Sequence, residues 1–299
     1  MSIIPIFRPP IMLVTAIKYS SNGTVLWTTQ PPFGGMGLPF VKDGKVDGVG
    51  NLYVVYNMIN NTPFDTLAFA SAGGVLWGAG NPTGDTFSLV NALALDSSNS
   101  VFVTGRNSYY YPNSSYGTYK IATNGAYVLT NNCPNVPTTT NVATAITVDR
   151  WNNAYVTGYS QGTNSGMDIV TIKYYNNGNQ IWLERYNGPG NDDDEANAIA
   201  LDGSGNVYVT GFEAVPGGGT EMVLIKYSPV NPGVRKQTNG SMQLHATGLP
   251  GQTFDFQAST NFLSWLDLGT TNADTNGCVL FTDTNAPFFP YRFYLTTPE

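Results

Sequence analysis

Asn197-Ala-Ile-Ala-Leu-Asp202-Gly-Ser-Gly-Asn206-Val-Tyr-Val-Thr-Gly211 is the stretch on which the fold turns, because the chain says it more than once. Thr144-Ala-Ile-Thr-Val-Asp149-Arg-Trp-Asn-Asn153-Ala-Tyr-Val-Thr-Gly158 and Asn91-Ala-Leu-Ala-Leu-Asp96-Ser-Ser-Asn-Ser100-Val-Phe-Val-Thr-Gly105 are earlier copies, with successive aspartates 53 residues apart. A decayed copy, Asp47-Gly-Val-Gly-Asn51-Leu-Tyr-Val-Val, precedes Asp96 by 49. Apolar side chains alternate along Ala198 and Ala200 and along Val207 and Val209, the period of a half-buried strand. Between the two runs lies a turn in which aspartate can bond its own backbone two residues on and glycine or asparagine can take positive φ. Asp47, Asp96, Asp149 and Asp202 therefore read as turn formers.

Outward from this hairpin lies a second. Ile169-Val-Thr-Ile-Lys173-Tyr174-Tyr-Asn-Asn-Gly178-Asn-Gln-Ile-Trp182 matches Val14-Thr-Ala-Ile-Lys18-Tyr19-Ser-Ser-Asn-Gly23-Thr-Val-Leu-Trp27. Weaker echoes stand at Ala72 to Trp77, Thr118 to Gly125 and Met222 to Tyr227. The fixed place of the tryptophans marks them as packing residues between neighbouring units. Four strands per unit at a period near 50 is the pattern of a β-propeller blade. Such sheets must stack, because one sheet cannot bury its own apolar face. The chain is expected to be all-β, with propeller repeats over residues 1–233 and about five four-stranded blades once the tail is counted. The tail, residues 234–299, holds four strand-like runs that either complete a blade or form a small appended β-module.

The copies resemble the SBBP-type bacterial β-propeller repeat family, whose blades carry an Ala-Ile-Ala-Val-Asp…Gly-Asn-Val-Tyr-Val-Thr-Gly core, over about residues 11–228. The family's acidic residue ahead of this core is matched by Asp194, whereas Asn141 and Ser88 stand there in the two preceding copies. In the tail, Ala258-Ser-Thr-Asn261-Phe-Leu-Ser-Trp265 and the closing Arg292-Phe-Tyr resemble a β-module at the C-termini of many secreted bacterial proteins. The resemblance implies a fold and leaves the activity open.

Composition narrows the function by exclusion. The formal net charge is −7, and the 13 basic residues are scattered singly, so the basic stripe that nucleic acid requires is missing. No apolar run approaches the ~20 residues of a membrane-spanning helix. One histidine and two cysteines, Cys133 and Cys278, rule out the usual Cys/His zinc site. The two thiols are left either paired or free. Charged residues make up only 11% of the chain, well under the usual quarter, so its surface is solvated by Asn, Thr, Ser and Gly. Such a surface is common in secreted or cell-surface proteins. The apolar stretch from Ile11 to Ile17 is claimed by the repeat as a strand, so no signal peptide is expected in the sequence, and a cytoplasmic location stays open.

The most unusual local feature is Asn191-Asp192-Asp193-Asp194-Glu195, just before an inner strand. Adjacent carboxylates repel unless solvated or neutralised, and calcium, with about 6–8 oxygen ligands, is a natural neutraliser. Asp192, Asp193, Asp194 and Glu195 are therefore the candidate metal ligands, with Asn91, Asn141 and Asn197 near equivalent strand starts as further oxygen donors. Tyr109, Tyr110 and Tyr111 read as a loop suited to stacking on sugars. A nucleophile elbow is missing, and His245, the sole histidine, sits on a strand-like run, which argues against a serine triad. Paired carboxylates for glycoside hydrolysis are conceivable among Asp85, Asp168, Asp194 and Glu221. The leading expectation is a non-catalytic binding or scaffold propeller that recognises a small molecule, carbohydrate, peptide or cell-surface ligand. The alternative is a calcium-dependent hydrolase opening a lactone or ester, with the ion as Lewis acid.

Overall fold

The computed structural model describes residues 14–31, 39–58, 65–80, 89–110, 113–132, 140–163, 165–227, 233–248, 251–274 and 278–298. The chain divides into two compact units, residues 1–199 with 209–223 and residues 200–208 with 224–299.

Along the repeats, β1 (Ala16–Tyr19) and β2 (Val25–Thr29) form a hairpin. Three four-stranded sheets follow in simple up-and-down order. The first holds β3 (Pro39–Val46), β4 (Leu52–Met58), β5 (Asp65–Phe69) and β6 (Val75–Gly80). The second holds β7 (Leu89–Leu95), β8 (Val101–Tyr110), β9 (Asn113–Ile121) and β10 (Tyr127–Asn132). The third holds β11 (Asn141–Val148), β12 (Ala154–Gln161), β13 (Met167–Tyr174) and β14 (Gln180–Tyr186). β15 (Glu195–Leu201), β16 (Val207–Ala214) and β17 (Thr220–Tyr227) make a three-stranded sheet.

Successive sheets pack face to face. Val54 and Tyr56 of β4 join Val14, Ala16, Leu67 and Phe69 in one buried cluster. Tyr53 and Val55 of the same strand point the other way, into a cluster with Val90, Leu93, Val101 and Val103. Phe102, Tyr116, Ala143, Val156, Val170 and Ile172 make the next. The half-buried alternation expected of Val207 and Val209 holds in β16, whereas Ala198 and Ala200 of β15 are exposed and the middle strands of the full sheets are buried on both faces. A middle strand with a sheet on either side buries both faces, and β4, β12 and β13 are buried almost throughout.

The turn aspartates behave as their sequence predicts. Asp149 Oδ1 accepts the amides of Trp151 and Asn153, both at 2.9 Å, while Oδ2 takes the Asn153 amide group at 3.0 Å and the Tyr155 hydroxyl at 3.2 Å. The same four bonds recur at Asp47 and at Asp202. Trp27 and Trp77 are packing residues between units, as expected. Trp77 Nε1 donates to Thr123 O at 2.8 Å, and its ring covers Gly125, where φ is +85° and an added Cβ would lie 3.0 Å from Cγ. Trp27 stands in the same relation to Ser71 and Gly73.

In the tail, β18 (Gly233–Lys236), β19 (Met242–Thr247), β20 (Thr253–Ser259), β21 (Leu266–Asn272), β22 (Cys278–Asp283) and β23 (Phe293–Pro298) form two three-stranded sheets, β18-β19-β22 and β21-β20-β23. Leu244, Ala246, Phe254, Phe256, Ala273 and Val279 are their own core. The tail strands therefore pair among themselves in two small sheets instead of making one four-stranded blade. His245 is a strand residue whose ring nitrogen lies 3.2 Å from Gln243 Oε1. Cys278 opens β22, and Cys133 lies outside the described residues.

Candidate functional site

The inner strands of the three full sheets share an irregularity. In β7, Val90 pairs with Gly105 and Ala92 with Thr104, so Asn91 is bulged out of the ladder. In β11, Ala143 pairs with Gly158 and Ala145 with Thr157, bulging Thr144. In β3, Val41 pairs with Tyr56 and Asp43 with Val55, bulging Lys42. A bulge re-aims a side chain, and strand bulges gather near binding sites. It also explains the glycine of Val-Thr-Gly: a Cβ on Gly158 would lie 2.0 Å from Val142 O, and one on Gly105 2.0 Å from Leu89 O. The first copy holds Tyr56 at that place, and nothing in the structure explains the difference.

Lys42, Asn91 and Thr144 thus hold one repeat position in three consecutive sheets, and the stacking brings them to one cleft of 470 Å³. Leu89, Val142 and Glu195 line it from a second repeat-equivalent position, and Arg106 and Tyr159 from a third. Inter-sheet hydrogen bonds hold the bulges in place. Asn91 Nδ2 donates to Ala143 O at 2.8 Å, Thr144 Oγ1 to Ala196 O at 2.6 Å, and the Leu93 amide to Asp43 Oδ2 at 3.1 Å.

The cleft is electrostatically mixed. Burial, and then the neighbouring Asp193 carboxylate, raise the Glu195 carboxyl above its usual range. Burial and then Glu195 raise the Tyr159 hydroxyl, with Arg106 acting in the opposite sense. Arg106 Nε is buried without a hydrogen-bond partner among the described residues. Two further clefts lie in the tail. One is lined by Met242, Phe289, Tyr291 and Arg292 among others, and one by Ser259, Trp265, Phe289 and Arg292 among others. Their shared cation is already satisfied, since Arg292 pairs with Asp283 at 2.8 Å.

The acidic run does not act as a unit. Asp192 Oδ1 caps the Asp193 amide at 3.0 Å, and Asp193 Oδ1 accepts the Met167 amide at 2.8 Å. Asp194 is buried and accepts the Gly188 amide at 2.5 Å on Oδ2 and the Ala214 amide at 2.8 Å on Oδ1. Only Glu195 reaches the cleft. Among the described residues no three His, Cys, Asp or Glu side chains gather as a metal cage. Asn141 exchanges hydrogen bonds with Ser114, and Asn197 is exposed, so neither joins Asn91. Asp168 pairs with Arg185 at 2.8 Å, Glu221 is exposed, and Asp85 lies outside the described residues. Tyr109 and Tyr110 end β8 rather than a loop; their side chains, and Tyr111, lie outside the described residues.

Lys42, Arg106, Thr144 and Tyr159 escaped the sequence reading, although a signal was there. The turn aspartate and the Val-Thr-Gly are the same in all three copies, whereas the residue after Val-Thr-Gly is Arg106, Tyr159 or Phe212. Uniform positions serve the fold, and the varied ones are free to serve a ligand.

Stacked four-stranded antiparallel sheets built on one repeated sequence define a β-propeller repeat protein. Residues 181–211, from β14 to the Gly211 of β16, match the SBBP β-propeller repeat. No curated protein matches the chain.

Proposed function

We propose that this protein is a non-catalytic binding propeller that holds a carbohydrate or short peptide in the cleft between its inner strands. The observation that carries the reading is convergence: bulged, chemically different residues at one repeat position, Lys42, Asn91 and Thr144, line a single cleft with Arg106, Tyr159 and Glu195. A concave site with a few convergent polar groups is where ligands bind by default. The low charge and Asn-, Thr-, Ser- and Gly-rich composition fit display outside the cell. A glycan and peptide array identifies the ligand. The expected result is a ligand whose affinity falls at least about tenfold with Tyr159→Ala at an unchanged melting temperature. Binding indifferent to both Tyr159→Ala and Lys42→Gln would contradict the reading. Because Asp194 is buried with both oxygens on backbone amides, and no three carboxylates gather among the described residues, chelation is expected to leave binding and melting temperature unchanged. A fall in either on adding EDTA, reversed by calcium, would revive the calcium-dependent alternative.

A further inference from the structure

We infer that the cleft is built for an acidic saccharide, a sugar ring whose carboxylate is held by Arg106 and Lys42. The inference rests on the binding reading above and narrows its ligand class.

A guanidinium donor removed from water without an acceptor costs free energy, which is why buried arginines are paired. The other arginines whose side chains are described are provided for. Arg185 pairs with Asp168 and Arg292 with Asp283, each at 2.8 Å, and Arg150 lies over the Trp151 ring at 4.1 Å. Arg106 lines the cleft with its Nε buried and unbonded, and it is in no ion pair among the described residues. Glu195 shares the cleft without closing that gap. A carboxylate entering from solvent can take two parallel N–H···O bonds from a guanidinium, the geometry at which arginine surpasses lysine.

Lys42 supplies a second positive charge from the exposed side, and it too is outside the ion pairs of the described residues. Two cations against one carboxylate leave the lining net positive in a chain whose formal charge is −7. The remaining lining suits a ring rather than a bare anion. Tyr159, Leu89 and Val142 offer apolar surface to ring C–H groups, and Asn91, Tyr159 and Glu195 offer oxygens to hydroxyls.

Titration calorimetry of the full chain with a hexuronic-acid oligosaccharide, its neutral hexose counterpart and inorganic phosphate tests the inference. The uronate is expected to bind at least about tenfold tighter than the neutral oligomer, and more weakly as salt rises. Arg106→Gln is expected to remove that preference, so that acidic and neutral oligomers bind alike. Lys42→Gln, on an exposed side chain, is expected to reduce it and stands in if the Arg106 variant does not fold. Equal binding of acidic and neutral oligomers by wild type would overturn the acidic class and leave the binding reading intact. Phosphate binding as tightly as the uronate would overturn the saccharide. Failure of every saccharide to bind would overturn the inference, and the underlying reading falls with it only if the peptide array gives no ligand either.

Discussion

At Asp47, Asp149 and Asp202 the turn carboxylate's Oδ2 is met by an asparagine side-chain amide and a tyrosine hydroxyl; at Asp96 the residues in those places are Ser100 and Phe102, and Ser100 bonds Oδ1 through its backbone amide alone, at 2.9 Å. Lys120 replaces both. Its ammonium lies 2.9 Å from Asp96 Oδ2 and 4.8 Å from the Phe102 ring, while Lys173 and Lys226 lie over the tyrosines of their own turns, at 5.0 and 5.4 Å. Removing one partner of a buried pair leaves an uncompensated charge. Lys120→Met is therefore expected to cost about 3–5 kcal/mol in urea unfolding. Lys226→Met, which removes only a cation–π contact, is expected to cost about 1 kcal/mol or less. Adding Ser100→Asn and Phe102→Tyr should restore most of the Lys120→Met loss; no recovery would show that the lysine acts otherwise. The same turns set the acid response. Burial works against the Asp47 charge, but bonds from Asn51, Val49 and Tyr53 outweigh it and hold its pKa below the ordinary 3.8. The Asn206 side chain does the same for Asp202. A carboxyl with a lowered folded pKa contributes stability above its unfolded value, about 3.9, and that contribution is lost as pH falls through the folded value. Asp47→Asn with Asp202→Asn is expected to flatten this acid limb. The difference from wild type isolates the turns from Asp65 and Glu195, whose raised values act in the opposite sense.

The bulged inner strand is the element on which both fold and cleft depend, and Gly158 is its tightest point. Gly158→Ala forces Cβ against Val142 O, and a cost of about 2–4 kcal/mol is expected, read from the urea midpoint. A neutral result would mean that the strand can straighten without loss. At the outer edge, Trp77→Phe keeps a ring over Gly125 but loses the 2.8 Å bond to Thr123 O, a loss of about 1 kcal/mol. Strand existence was legible from the Val-Tyr-Val-Thr-Gly pattern, as was the turn role of the aspartates, because both are written within a dozen residues. The burial of both strand faces was not. It follows from the sheet stacked behind each strand, which a strand's own alternation does not report. The bulges were hidden for a related reason: one extra residue at Asn91 or Thr144 shifts the period without breaking the apolar run.

For the molecule as a whole, the repeat exposed the propeller class while the site depended on where the copies differ. The acidic run at Asp192 to Glu195 drew attention because its residues are adjacent. Adjacency in a strand or turn sends neighbouring side chains in opposite directions, and here it ties Asp192, Asp193 and Asp194 to backbone amides and leaves Glu195 facing the cleft. Residues about one period apart, such as Lys42, Asn91 and Thr144, meet instead, because stacking superimposes equivalent positions. The proposed binding site is the product of this superposition. Hydrogen–deuterium exchange with and without the acidic oligosaccharide locates it directly. Protection is predicted at residues 41–43, 89–92, 105–107, 142–145 and 194–196, on either side of the bulges. Protection confined to residues 258–266 and 286–294, around the tail clefts, would contradict the claim.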